Sequence, residues 1–159
     1  MSDTPKNVFI GHVHEDDDVL QDLKALLGEN GYEIRDSSID SLEPNDAQNP
    51  EYIKSEILAP RIRWASTMIV LISPDTHTSD WVEWEIEYAQ KKDKRIVGVW
   101  VRGGQDSDVP ENLDLYADAV VGWQADRVMD AVTGKINNWV TPGGGERATR
   151  SIQRYKCYR

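Results

Sequence analysis

The chain has 159 residues, of which 39% are hydrophobic and 29% are charged, a composition typical of one ordinary folded domain. Its formal net charge of −10 disfavours binding of the domain as a whole to nucleic-acid phosphates or to anionic lipid head groups. A single cysteine, Cys157, excludes an internal disulfide and a CxxC motif, and neither a membrane helix nor a secretory leader is predicted, so we expect a cytoplasmic protein.

Short apolar runs alternate with helical patterns along the chain. The predicted strands cover residues 8–10, 32–35, 68–72, 96–101 and 119–121. The predicted helices cover residues 16–29, a segment that begins at Pro50 and bends or restarts at Pro60, residues 81–92 and residues 126–140. This alternation predicts an α/β fold with a flavodoxin-like, doubly wound and mainly parallel five-stranded sheet.

Two segments fall outside this alternation. Residues 36–49 contain no apolar periodicity and many turn formers, which indicates a long functional loop. The glycines at 143–145 end the predicted domain, so we divide the chain into a domain at residues 1–140 and a hinge with a basic tail at residues 141–159. Residues 146–159 carry a charge of +4 against −14 for the rest of the chain. We therefore expect the tail to dock on the acidic domain.

The predicted topology indicates where a ligand would bind. In doubly wound sheets the site lies beyond the carboxyl ends of the strands, where the strand order reverses. For a flavodoxin-like order this point lies between the first and third strands, so the loops of interest are residues 11–16 and 73–80. The first of these loops lacks the glycine spacing of a dinucleotide-binding fingerprint, which argues against a hydride-transferring dehydrogenase.

The predicted helix after the third strand contains the most informative side chain, Glu85. On a helical wheel an aliphatic stripe lies on one side of Glu85 and an aromatic stripe on the other, formed by Val82, Ile86 and Ala89 and by Trp81, Trp84 and Tyr88. Glu83 and Glu87 point away and are expected to be solvated. Glu85 is therefore a candidate for a carboxylate with a tuned pKa, and the alternative is a half-exposed glutamate on an amphipathic helix.

Four segments of the chain resemble a TIR domain. They are VFIGHVHEDD at residues 8–17, EIRDSSID at 33–40, MIVLISPDTHTSDWVEWEIEYA at 68–89 and RIVGVWV at 95–101. More closely, the chain resembles the TIR-like proteins of bacterial Thoeris anti-phage systems, of the ThsB type. This resemblance extends over roughly residues 6–140 in order and spacing.

The resemblance implies an enzyme that cleaves the nicotinamide-ribose bond of NAD and forms a cyclic or linear ADP-ribose signal. Trp81 and Glu85 match the W-x-x-x-E pattern of catalytic TIR domains, with Glu85 as the catalytic residue. The expected contacts to NAD are made by Gly11, His12, Asp36, Ser38 and Trp81. No metal and no cofactor beyond the substrate NAD are expected.

The resemblance also implies partners. The loop at residues 36–49 corresponds to the BB loop of TIR domains, so we expect self-association through it. Because the sequence contains no attached effector or sensor domain, a separate effector protein is expected to sense the product.

Three alternatives stay open at this point. The first is a non-catalytic TIR interaction module that uses the same surface only for assembly. The second is a receiver-like phosphoacceptor with Glu15, Asp16 and Asp75 near strand ends, although that class has a lysine where this chain has Gly122 and Trp123. The third is a metal site formed by His12, His14 and the acidic residues 15–18, a pattern that the helix macrodipole explains as well.

Overall fold

The computed structural model describes residues 6–12, 17–32, 34–36, 58–74, 76, 79–101, 105, 108–142 and 145–147. The strands are β1 (Lys6–Gly11), β2 (Ile34–Asp36), β3 (Thr67–Ile72), β4 (Arg95–Trp100), β5 (Ala119–Val121), β6 (Trp139–Val140) and β7 (Glu146–Arg147). The helices are α1 (Asp17–Glu29), α2 (Ala59–Trp64), α3 (Asp80–Lys91), α4 (Glu111–Tyr116) and α5 (Ala125–Val132).

The strands form one sheet in the order β2-β1-β3-β4-β5-β6-β7. All neighbouring pairs from β2 to β6 are parallel, and β7 is antiparallel to β6. The predicted doubly wound α/β fold is confirmed, but the described residues contain seven strands rather than five. The chain passes from β1 to β2 on one side and then crosses to β3 on the other, so the strand order reverses between β1 and β3.

Helices cover both faces of the sheet because side chains alternate along each strand. Val8 and Ile10 point to the face that packs against α1 and α5. Phe9 points to the opposite face, which packs against α2, α3 and α4. All six residues of β3 are buried, as expected of a central parallel strand. The helix α3 therefore lies on the same face of the sheet as the odd-numbered positions of β1.

The last helix is shorter than predicted. We expected it to continue to residue 140, but α5 ends at Val132, and Gly134 follows with a φ of 93°. This left-handed backbone is accessible to glycine and ends the helix. Trp139 lies in β6, where it is buried and its indole nitrogen donates to the carbonyl oxygen of Ala117 at 3.2 Å. Burial of this ring against the sheet overrides the weak helical pattern of the segment.

The end of the described chain adds one more strand. Glu146–Arg147, which belong to the predicted tail, form β7 and pair with β6. Residues 148–159 and the loop at residues 37–49 lie outside the described residues, so the division of the chain and the docking of the tail stay predictions. In the described part of the chain no helix has the length and apolar character needed to cross a membrane.

The guanidinium group of Arg95, at the start of β4, holds the segment after α5. Its Nε donates to the carbonyl oxygen of Ala131 at 2.6 Å. Its Nη2 donates to the carbonyl oxygen of Ile136 and to Oδ1 of Asn137, each at 2.7 Å. These three contacts tie the connection between α5 and β6 to the centre of the sheet.

We expect Arg95→Met to lower the free energy of unfolding by about 2 kcal/mol, because hydrogen bonds from a charged donor to partly buried acceptors are lost. Urea denaturation measures this change. Lys91→Met removes an exposed contact of 3.8 Å with Glu87 and should change the free energy by less than about 0.5 kcal/mol. Equal losses in the two variants would contradict the role of Arg95.

Candidate active site

The helix α3 begins at a capped turn directly after β3. The hydroxyl of Ser79 accepts the backbone N–H of Val82 at 3.2 Å, which satisfies one of the free amides of the first turn. Before it, the buried hydroxyl of Thr76 accepts the N–H of Ser73 at 2.8 Å and donates to the carbonyl oxygen of Leu71 at 2.9 Å. These contacts fix where α3 starts relative to the carboxyl end of β3. The serine follows the general preference for such caps, whereas no pattern in the sequence indicated Thr76.

The predicted aliphatic stripe of α3 and two of the three predicted aromatic residues pack on the core. Val82, Ile86 and Ala89 are buried in the core of the sheet. On the other side Trp84 and Tyr88 pack against the same core, and their rings stack with centroids 5.2 Å apart and planes 12° apart. Glu85 lies between these groups, as the helical wheel predicts.

The carboxyl group of Glu85 is buried, with only 7% of the residue exposed. Its Oε1 has no hydrogen-bond partner among the described residues. Burial disfavours the charged form and raises the pKa of Glu85 from 4.5 to about 8. The alternative of a half-exposed glutamate is therefore wrong. An unpaired buried oxygen of this kind is unusual, because most buried polar atoms in folded proteins have a hydrogen-bond partner.

Gly11, the last residue of β1, lies directly against this carboxyl group. A Cβ atom built on Gly11 would lie 3.1 Å from Oε1 of Glu85 and 2.7 Å from Cε of Met68. Gly11 is in register with Val70 of β3, so the carboxyl group lies at the edge where β1 and β3 diverge. The structure thus brings Gly11 and Glu85 together at the predicted switch point.

Of the other predicted site residues, the structure describes His12, Trp81 and Asp36. His12 follows Gly11 and is partly buried, with Nδ1 at 3.3 Å from the carbonyl oxygen of Ile10. Trp81 lies one helical turn before Glu85 and is 39% exposed. Asp36 ends the neighbouring strand β2, in register with Val8. Ser38 lies outside the described residues.

The described residues give no support to the metal site or to the phosphoacceptor. Among the described residues no three His, Cys, Asp or Glu side chains come together as metal ligands. The residues His14, Glu15, Asp16 and Asp75, on which those alternatives depend, lie outside the described part of the chain. The strand β5 ends at Val121 and leads into Gly122.

The expectation that Glu83 is solvated is wrong. Its carboxylate accepts the backbone N–H of Glu111 at 2.8 Å and that of Asn112 at 2.9 Å, and Asn112 Nδ2 donates to the Glu83 carbonyl oxygen at 3.0 Å. Glu83 therefore caps the N-terminus of α4, a short helix that the sequence pattern did not predict. Glu83 and Glu85 are two positions apart and have different surroundings. Glu83 faces α4 and binds its backbone amides, while Glu85 faces the sheet.

We expect Glu83→Gln to lower the free energy of unfolding by about 1 kcal/mol, because an amide can offer only one oxygen to two backbone donors. Chemical denaturation measures the loss. Glu87→Gln is the matched control. Glu87 is exposed, and its carboxylate lies 3.8 Å from the exposed ammonium group of Lys91. A Glu83 variant as stable as the Glu87 variant would show that the cap contributes nothing.

The buried carboxyl group also makes stability depend on pH. The unfolded chain loses the Glu85 proton near pH 4.5, and the folded protein keeps it up to about pH 8. The folded state binds more protons in between, so the free energy of unfolding falls as the pH rises through this window, by at most roughly 1.4 kcal/mol per pH unit. Thermal unfolding of wild type and Glu85→Gln across this window measures the effect. The stability of wild type relative to the variant should decline with rising pH, and parallel curves would show that Glu85 ionises normally.

The chain is similar to a known protein family in sequence and to several solved structures. The sequence matches the family described as Thoeris protein ThsB, TIR-like domain, over residues 9–106. No curated protein matches the sequence.

Solved structures similar to this chain include three proteins. The CMP N-glycosidase BcmB of Clostridium botulinum is 18% identical, with 60% of this chain and 71% of that chain covered and a TM-score of 0.41. The TIR domains of the activated Roq1 resistosome that recognises the effector XopQ are 21% identical, with coverages of 60% and 57% and a TM-score of 0.44. The TIR domain of the Toll-related receptor TRR-2 from Hydra magnipapillata is 18% identical, with coverages of 80% and 92% and a TM-score of 0.49.

The family match covers more than half of the chain and includes the last three residues of β1 and all of β3, α3 and β4, the elements that place Gly11 and Glu85 at the switch point. This chain belongs to the family of TIR-like domains of the Thoeris protein ThsB.

Proposed function

We propose that this domain cleaves the nicotinamide-ribose bond of NAD, releases nicotinamide and forms a cyclic or linear ADP-ribose signal in bacterial anti-phage defence. The observation that carries this proposal is the buried carboxyl group of Glu85, with an unpaired oxygen, at the edge where β1 and β3 diverge. An assembly surface alone gives no reason to bury a carboxyl group in this way, because desolvation without a partner is unfavourable.

The chemistry of NAD suits this group. In NAD the pyridinium nitrogen carries a positive charge, which lowers the pKa of a carboxyl group beside it and favours its ionised form. A ribose hydroxyl can donate to the carboxylate of Glu85, whose Oε1 lacks a partner among the described residues. Substrate binding thus supplies both of the interactions that the carboxylate lacks.

The reaction needs little from the protein beyond this carboxylate. The bond between C1′ and the pyridinium nitrogen breaks, its electron pair neutralises the ring nitrogen, and the ribose develops oxocarbenium character. Ionised Glu85 stabilises that positive charge in a site of low dielectric constant. Water, or a hydroxyl of the ADP-ribose fragment, then attacks C1′ and gives up its proton, which yields a linear or a cyclic product.

We propose that four further residues bind the substrate. Trp81 lies one turn before Glu85 and is 39% exposed, and we propose that it stacks on the nicotinamide or the ribose. His12 follows the last residue of β1, and Asp36 is the last residue of β2. Both are proposed to contact ribose or phosphate, together with Ser38. We propose self-association through residues 36–49 and a separate effector protein that senses the product.

We expect Glu85→Gln to reduce nicotinamide release by at least about a thousandfold, because the amide keeps the shape of the side chain but cannot neutralise the developing charge. Chromatography of nicotinamide after incubation of the activated protein with NAD measures the rate. For wild type, kcat/KM should rise with pH up to about 8, as the ionised fraction of Glu85 in the free enzyme increases.

Glu87→Gln is the control for this experiment, since Glu87 lies on the exposed side of the same helix. It should release nicotinamide at the wild-type rate. A Glu85→Gln protein that is folded and equally active would refute the assignment, and so would a wild-type rate that falls between pH 6 and about pH 8.

A further inference from the structure

We propose that Gly11 is a positioning residue, whose missing side chain leaves the slot at the end of β1 in which the Glu85 carboxyl group is held. This inference rests on the proposed function of Glu85. It gives Gly11 a different task from the direct contact with NAD that the sequence suggests.

The position of this slot follows from the alternation of side chains along β1. Phe9 points to the face of the sheet covered by α3, where it packs in the same core as Val82 and Ile86. Gly11 is two residues further on, so the Cα hydrogen that takes the place of its side chain points to this same face. At the last position of the strand the layer of β1 side chains therefore stops, and the carboxyl group of Glu85 occupies the space.

The fit is too close for a further carbon atom. The Cβ position of Gly11 is 3.1 Å from Oε1 of Glu85 and 2.7 Å from Cε of Met68. The flexible end of Met68 can move aside, and Oε1 of Glu85 has to shift by a few tenths of an ångström. Gly11 has no left-handed backbone angle, so an alanine here would act through space and not through backbone strain.

The other described glycines differ from Gly11. A Cβ atom on Gly28 or Gly122 would meet nothing within 4 Å. A Cβ atom on Gly98 would meet the apolar atoms of Ile72, Leu113 and Val120, which indicates a packing role. Among the described glycines, Gly11 is the one whose Cβ would contact an ionisable side chain.

The experiment compares Gly11→Ala with Gly28→Ala. We expect Gly11→Ala to lower kcat for nicotinamide release by roughly tenfold and to change KM by less than about twofold, because a displaced carboxylate stabilises the transition state less while the substrate still binds. The pH at which the Glu85 side-chain carboxyl carbon titrates, followed by carbon-13 NMR, should move by more than about half a pH unit. Gly28→Ala should leave both measurements at their wild-type values.

A stability cycle tests the same contact without any activity. Gly11→Ala should lower the thermal unfolding midpoint in wild type and lower it by fewer degrees in the Glu85→Ala background, because the group that confines the new methyl group is then absent. A Gly11→Ala protein that folds only in the Glu85→Ala background supports the proposal as well.

Two results would overturn the proposal. One is an unchanged Glu85 titration together with a raised KM, which would mean that Gly11 contacts the substrate directly. The other is an equal loss of stability in both backgrounds. If wild type does not cleave NAD, the proposed function fails, whereas the titration and the stability cycle still decide whether Gly11 positions Glu85.

Discussion

The burial of one carboxyl group against the end of β1 is the constraint on which the site depends. Removing a carboxyl group from water without a partner for one of its oxygens is unfavourable, and the raised pKa of Glu85 reflects this. Such an arrangement persists only where the surrounding structure leaves the side chain no better position. Here the constraint comes from the apolar stripe of α3, packed on a sheet whose central strand is buried throughout.

The polar contacts that fix α3 are made by side chains other than Glu85. Thr76 and Ser79 hold the start of the helix relative to β3. Glu83 ties the middle of α3 to the N-terminus of α4 through two backbone amides. The helix is thus anchored at its beginning and on its α4 side, while Oε1 of Glu85 makes no hydrogen bond within the described chain. A rigid frame around an unpaired acceptor is the arrangement expected of a site that is completed by its ligand.

The helical wheel of α3 predicted some features of the candidate site and missed others. The wheel of α3 predicted the two stripes around Glu85 because side-chain direction on a helix follows from spacing alone. The same wheel placed Glu83 in solvent, since it contains no information about α4. Likewise, Gly11 was found as the residue at the strand end, but its closeness to Glu85 depends on how α3 packs over β1.

The sequence by itself determined the alternation of strands and helices and the face of α3 that carries Glu85, because these follow from local periodicity. Tertiary structure decided what depends on partners distant in the chain. Trp139 joins the sheet as β6 because burial of its indole next to Ala117 outweighs weak helical propensity. The carboxylate of Glu83 caps the short helix α4. The pKa of Glu85 is raised because packing removes its carboxyl group from water. Desolvation and long-range capping are properties of the assembled layers, so no window of the sequence contains them.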